Sequence, residues 1–256
     1  MVTTVLTAIR RRARSRLGEG AHCLSVLSIV TTMLVLAGLL AGLVGCGGAE
    51  QPRVDAKAVL VDAVSPMKAL KAFHFTYEVV KPKNAKPIEG TEIVKIVGDV
   101  TMDGRMNATI DLLERGVPLQ MAFIADGATH YLQDPTTQKW QSVAAEFSPV
   151  GKVNLNAGAI QILEQITEPT FDADEKVDGV ECHRIKGSVA ASAVASIAGV
   201  VTTSQNFAAT LWVGIQDSLV RRIELMGAAS SDEDVKTVRV IVLSKFDEPV
   251  TISPPK

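Results

Sequence analysis

From residue 73 to residue 246 the chain is patterned in twos. "FHFTYEVV" (73–80) alternates Phe75, Tyr77 and Val79 with His74, Thr76 and Glu78. "MNATIDLL" (106–113) sets Met106, Ala108, Ile110 and Leu112 on one face, and "PLQMAFIA" (118–125) does the same with Leu119, Met121, Phe123 and Ala125. A period of two is that of a strand with one face buried. Further strands are expected at "VKIVGDVTM" (94–102), "ATHYLQ" (128–133), "TFDADEKV" (170–177), "VECHRIKGSV" (180–189), "NFAATLWVG" (206–214), "LVRRIELM" (219–226) and "VKTVRVIVLSKF" (235–246). Asp126-Gly127 and Asp178-Gly179 read as hairpin turns. Links this short join antiparallel strands.

Three segments follow the helical period instead. After Asp55, a candidate N-cap, the residues Val59, Leu60, Ala63, Met67 and Leu70 share one face. Pro66 is expected to kink that helix or split it. "NLNAGAIQILEQI" (154–166) aligns Leu155, Ala159, Ile162, Leu163 and Ile166, with Asn154 as a candidate cap, and "AASAVASIAG" (190–199) reads as a short helix. Two arrays of strands, each with helical material beside it, predict an α+β fold. It would be one large twisted antiparallel sheet with helices on one face.

The N-terminus is of another kind. Arg10, Arg11, Arg12, Arg14 and Arg16 precede an uncharged run from Leu24 to Val44. Basic, apolar, then small residues is the layout of a secretory signal. The run is also long enough for a permanent membrane span. Leu43-Val44-Gly45-Cys46 decides between them, because it resembles the lipobox of bacterial lipoproteins. That resemblance implies that the Cys46 thiol takes a diacylglyceryl group and that cleavage falls just before it. More than one acyl chain is needed for stable anchoring. The expected organisation is a signal peptide (1–45), a lipidated tether (46–54) and a single folded domain (55–256). The location would be the extracytoplasmic face of the cell membrane.

Catalytic signatures are missing from the sequence. It contains no Gly-x-Ser-x-Gly elbow, no phosphate-binding Walker loop and no zinc-protease motif. His74, His130 and His183 lie on separate strands, where partly exposed strand residues are expected. "DADE" (172–175) and "SDEDV" (231–235) lack the full spaced calcium loop and read as solvated turns. Cys182 has no partner for an intramolecular disulfide once Cys23 is removed and Cys46 is acylated. His183 beside it should point to the opposite face. No catalytic residue, metal or cofactor is assigned, and the chain is read as a non-enzyme. The net charge is −2. The first 45 residues hold five arginines and one glutamate, so the remainder is more acidic still. That balance argues against nucleic acid.

From Val59 to Ser253 the chain resembles the LppX/LprAFG family of bacterial lipoproteins. The resembling segments are "MKALKAFHFTYEV" (67–79), "IVGDVTM" (96–102), "PLQMAFIADGATHYL" (118–132), "KWQSV" (139–143), "KVDGVECHRIKGSV" (176–189), "ATLWV" (209–213) and "VLSKFDEPVTI" (242–252). The resemblance implies a strongly bent antiparallel half-barrel with helices covering its concave face, similar to the carriers LolA and LolB. It implies an apolar cavity that binds acyl chains of lipids or lipoglycans. The activity would be carriage from the cytoplasmic membrane toward the outer envelope, in some members beside a major-facilitator exporter. Candidate wall residues are Leu60, Val64 and Met67 from the first helix and Ile162, Leu163 and Ile166 from the second. Ile110, Met121, Phe123, Ile185 and Leu211 are the candidates from the sheet. For each, plain core packing is the competing reading. A non-transport envelope sensor on the same fold, or a hydrolase with an unrecognised site, are the competing functions.

Overall fold

A computed structural model describes residues 54–85, 90–148, 155–198 and 201–255. These lie in one compact unit, Arg53–Lys256. The signal segment, Cys46 and the candidate cap Asn154 lie outside the described residues.

Helix α1 (Ala56–Ala69) begins where Asp55 caps it. The Asp55 carboxylate accepts the N–H groups of Lys57 (3.0 Å) and Ala58 (3.2 Å). Ala56, Leu60, Ala63 and Met67 form its buried stripe. Pro66 does not split the helix, which runs on to Ala69. Pro66 sits in the last turn. The carbonyl it leaves without a donor belongs to the exposed Asp62, where water can serve.

Six strands then form a meander: β1 (Ala72–Val80), β2 (Thr91–Thr101), β3 (Met106–Glu114), β4 (Val117–Asp126), β5 (Thr129–Gln133) and β6 (Trp140–Ala144). After a 3₁₀ turn at Ala145–Phe147, helix α2 (Leu155–Gln165) leads to β7 (Thr167–Val177) and β8 (Val180–Val189). Helix α3 (Ala191–Ala198) precedes β9 (Phe207–Gly214), β10 (Val220–Met226) and β11 (Val238–Ser244). The strand order is β6-β5-β4-β3-β2-β1-β11-β10-β9-β8-β7. Neighbours pair antiparallel throughout.

The sheet thus has two wings, β1–β6 and β7–β11, which meet where β1 pairs with β11. It is an open half-barrel with β6 and β7 as its edges. Strand β6 is a strand that alternation did not reveal. Its burial pattern shows why, since none of Trp140–Ala144 is fully buried. The β7–β8 turn is Asp178-Gly179 as read, both at positive φ (48° and 85°). The β4–β5 turn is Gly127-Ala128, one residue later than read, because Asp126 still pairs with Thr129.

One row of side chains crosses the concave face from wing to wing. Register places Met121, Ile110, Ile96, Tyr77, Ile241, Ile223, Leu211 and Ile185 side by side across eight strands. Leu60, Met67, Ile162, Val194 and Ile197 belong to the same apolar core, so the helices pack on this face. They come close where the chain has glycine. A Cβ on Gly187 would lie 2.6 Å from the Ile166 side chain, and one on Gly158 would lie 2.4 Å from Ile197. Period-two patterning supplies the buried face, and small residues admit the helices to it.

Candidate functional site

Among the described residues a groove of about 820 Å³ opens between α1, the end of α2 and the start of β7. Leu60, Val64, Leu163 and Ile166 line it. Leu60 and Leu163 are almost fully buried (2% and 4% exposed), whereas Val64 and Ile166 are half-buried. The rim is charged. Lys57 and Lys68 stand on α1, with Glu164 and Glu168 opposite. Lys68 Nζ reaches Glu164 Oε1 at 2.7 Å. Both of those side chains are about half exposed, so the pair fixes geometry more than it stabilises.

A second, smaller opening of about 330 Å³ lies on the β2–β4 wing. Its wall is Ile93, Ile110, Leu112, Leu119 and Met121, with Thr91 and Glu114 at one side. It exists because β5 is short. Pairing of β4 with β5 begins only at Phe123 opposite Leu132, so Val117–Ala122 has β3 on one side and no strand partner on the other.

The wall candidates therefore separate into three groups. Leu60, Val64, Leu163 and Ile166 line the helical groove, and Ile110 and Met121 line the strand pocket. Met67, Phe123, Ile162, Ile185 and Leu211 line neither and are at most 1% exposed, packed into the core. Sequence reasoning missed Val61 and Pro169 in the groove, and Ile93, Leu112 and Leu119 in the pocket. Leu112 and Leu119 carried the signal, since both stand in phase with candidates on their own strands.

The concave face is not wholly apolar. Arg239 stands in phase with Ile241 and Leu243 on β11 and is 5% exposed. It donates to both carboxylate oxygens of Glu233 (2.8 and 2.7 Å) and to the Gly227 carbonyl (3.2 Å). Glu233 also accepts the Ala229 N–H. Burial pushes the nearby Tyr77 hydroxyl up from its ordinary value, while Arg239 pulls it back. The expected turn at 231–235 is present, with Ser231 and Asp232 exposed, but it is not solvated throughout: the Glu233 side chain is only 5% exposed, because a buried arginine needs a carboxylate.

His130 is a second correction. It is 6% exposed, set edge-on to Phe123 at 5.1 Å between ring centres. Its neighbour across the ladder is the small Ala125, which leaves room for the ring. Among the described residues its Nδ1 is buried without a partner, and burial lowers the imidazole pKa. His74 and His183 meet carboxylates, His74 with Asp99 (2.8 Å) and His183 with Asp174 (2.6 Å).

The run "DADE" lies within β7, as the expected strand over 170–177 has it, and is not a turn. Asp172 takes Arg184 (2.6 Å) and Lys186 (3.0 Å), and Glu175 accepts the Trp212 indole N–H at 3.2 Å. The Lys186 and Arg184 contacts hold Asp172 below the usual carboxylate range. Cys182 packs with Val177 and Trp212, and burial pushes its thiol up. A raised thiol carries little thiolate and is a poor nucleophile or metal ligand. Among the described residues no three His, Cys, Asp or Glu side chains converge as a metal site would require.

The fold has solved counterparts. The structure of LprF from Mycobacterium bovis matches 78% of this chain and 96% of its own, with a TM-score of 0.62 at 18% identity. That of the Mycobacterium tuberculosis lipoprotein LppX matches 77% and 98%, with a TM-score of 0.56 at 16% identity. By sequence, the lipoarabinomannan carrier protein LprG of Mycolicibacterium smegmatis is 25% identical over 77% of this chain and 86% of its own. LprG of Mycobacterium tuberculosis is 27% identical over 91% and 96%. Residues 55–252 match the sequence profile described as LppX_LprAFG lipoprotein. The chain belongs to the LppX/LprAFG family of lipoproteins.

Proposed function

We propose that this chain is a membrane-anchored carrier of acylated lipids or lipoglycans, held in the envelope through Cys46. The observation that carries the reading is the helical groove. Val61, Val64 and Ile166 offer apolar surface to water over a buried floor of Leu60 and Leu163, and the volume suits the end of an acyl chain. Burial of chain methylenes, at about 0.8 kcal/mol for each CH₂, provides the affinity. The charged rim keeps the opening hydrated and excludes a fully apolar partner. The relatives named as lipoarabinomannan carriers support the same class of cargo. Transfer from the cytoplasmic membrane toward the outer envelope, beside a major-facilitator exporter, is the role that fits an anchored carrier.

Two experiments test it. Lipids extracted from the purified chain and weighed by mass spectrometry should include acylated species in stoichiometric amount, and a Leu163→Glu variant should lose them. A parent protein that carries no lipid contradicts the reading. For the anchor, Cys46→Ala should abolish incorporation of labelled fatty acid, and undiminished labelling would refute Cys46 as the acceptor.

A further inference from the structure

Among the described residues an isoleucine rests on a glycine twice, and one of these contacts lies at the groove. Ile166 directly follows α2, and its N–H donates to the Ile162 carbonyl at 3.0 Å, so the helix fixes where its side chain starts. That side chain rests on β8. A Cβ on Gly187 would lie 2.6 Å from Ile166 Cγ1 and 2.7 Å from Cδ1. The Gly187 φ is outside the left-handed region, so the backbone does not require glycine there; the space taken by Ile166 does. The other contact joins two helices. A Cβ on Gly158 of α2 would lie 2.4 Å from Ile197 Cγ1 on α3. Ile197 is 1% exposed and does not line the groove, whereas Ile166 is half-buried and lines it.

Under Ile166 the inner surface of the sheet is low. Gly187 stands beside Ala209 across the β8–β9 ladder. The inward positions before and after them are large: Ile185 and Val189 on β8, Phe207 and Leu211 on β9, all fully buried. On the next strand Leu225 pairs with Ala209 and is also inaccessible. Small residues with apolar neighbours thus leave a pit, and the Ile166 side chain occupies its Gly187 half. The Thr167 carbonyl, 2.8 Å from the same Cβ position, is a polar edge.

We propose that Ile166 sets the chain length that the groove accepts, by plugging the pit over Gly187 and ending the path of an acyl chain there. This rests on the carrier reading. A methyl terminus that reaches Ile166 meets a side chain already in contact with the sheet. Further methylenes stay in water and add no affinity, whereas each one buried short of the plug improves the Kd by about fourfold. A smaller residue at 166 joins the pit to the groove and lengthens the path. The same truncation at 197 leaves a closed void between helices, away from the groove.

The full chain and its Ile166→Ala, Ile166→Val and Ile197→Ala variants are titrated with saturated fatty acids of increasing length, each below its critical micelle concentration. The affinity of the parent should rise with length and then level off. In Ile166→Ala the plateau should begin at chains about two or three carbons longer, and in Ile166→Val at chains about one carbon longer. Ile197→Ala should level off where the parent does. A plateau unmoved in both residue-166 variants overturns the proposal. An equal shift in Ile197→Ala also overturns it, since the helices would then have loosened as a whole. Ile166→Val loses one methyl group and stays β-branched, so it decides the matter if the alanine variant does not fold. A parent that binds none of the series overturns the carrier reading, and the selector with it. The two failures differ in whether the parent shows dependence on chain length.

Discussion

The two wings of the sheet carry the same pattern and finish differently. In the β7–β11 wing, Ile185, Leu211, Ile223 and Leu225 are all inaccessible to solvent. Gly187 and Ala209 stand side by side there, and Ile166 comes down over the glycine. In the β2–β4 wing, Ile93, Leu119 and Met121 occupy equivalent inward positions but remain half-buried beside an opening. Alternation along a strand decides which side chains face inward. It does not decide whether anything covers them. Cover requires a small residue on the sheet and a helix able to reach it. A carrier needs one region that holds the fold and another that leaves apolar surface unfilled.

The comparison can be broken most directly by truncation within the shared row. Leu211→Ala in the covered wing should cost about 2–5 kcal/mol, because the site is closed on all sides. Met121→Ala in the open wing should cost about 1 kcal/mol or less, since its side chain is already partly in water. Urea unfolding gives both, and equal losses would contradict the division.

Overpacking should show the next largest effect. Gly187→Val places new atoms against Ile166 and the Thr167 carbonyl and should cost about 1–3 kcal/mol. Leu119→Trp adds more volume, but in the strand pocket it fills open space. Its stability should stay within about 0.5 kcal/mol of the parent. A Leu119→Trp protein that melts much lower would mean that the opening is already filled.

A small pH effect belongs to the open wing as well. Burial lowers the His130 pKa below the ordinary value of 6.5. The unfolded chain then binds the proton first as pH falls, so this contribution is complete above about 6.5 and is lost progressively below it. His130→Leu should flatten the part of the stability profile that lies between neutral and mildly acidic pH. An unchanged slope would show that the imidazole is not desolvated.

How far the sequence foretold the molecule follows from the same division. Strands with a clean inward face, such as "MNATIDLL" and "PLQMAFIA", were legible because burial acts on alternate residues. Strand β6 was not, because it lies at an edge and buries no face. Among the wall candidates, which came with the cavity that the family resemblance implies, helical spacing could not separate Leu60, Leu163 and Ile166 from Met67 and Ile162 on the same faces, and it did not include Val64. Lining and core differ by a turn of cover, which is tertiary information. Glu233 was misread because a local run of acids looks solvated until the buried arginine six residues on is placed. Cover by a helix, a partner for a buried charge and the length of a neighbouring strand all depend on residues distant in sequence.

The account rests on acyl chains being held by apolar burial in the helical groove. The measurement that tests this most directly is a titration of the chain with lipids of graded acyl length, at low and high salt. Affinity should rise with each added pair of methylenes until the groove is full, at about 0.8 kcal/mol for each CH₂ buried, and should change little with salt. Affinity that is flat with chain length and falls steeply with salt would place the ligand on the charged rim of Lys57, Lys68, Glu164 and Glu168, and would contradict burial as the means of holding cargo.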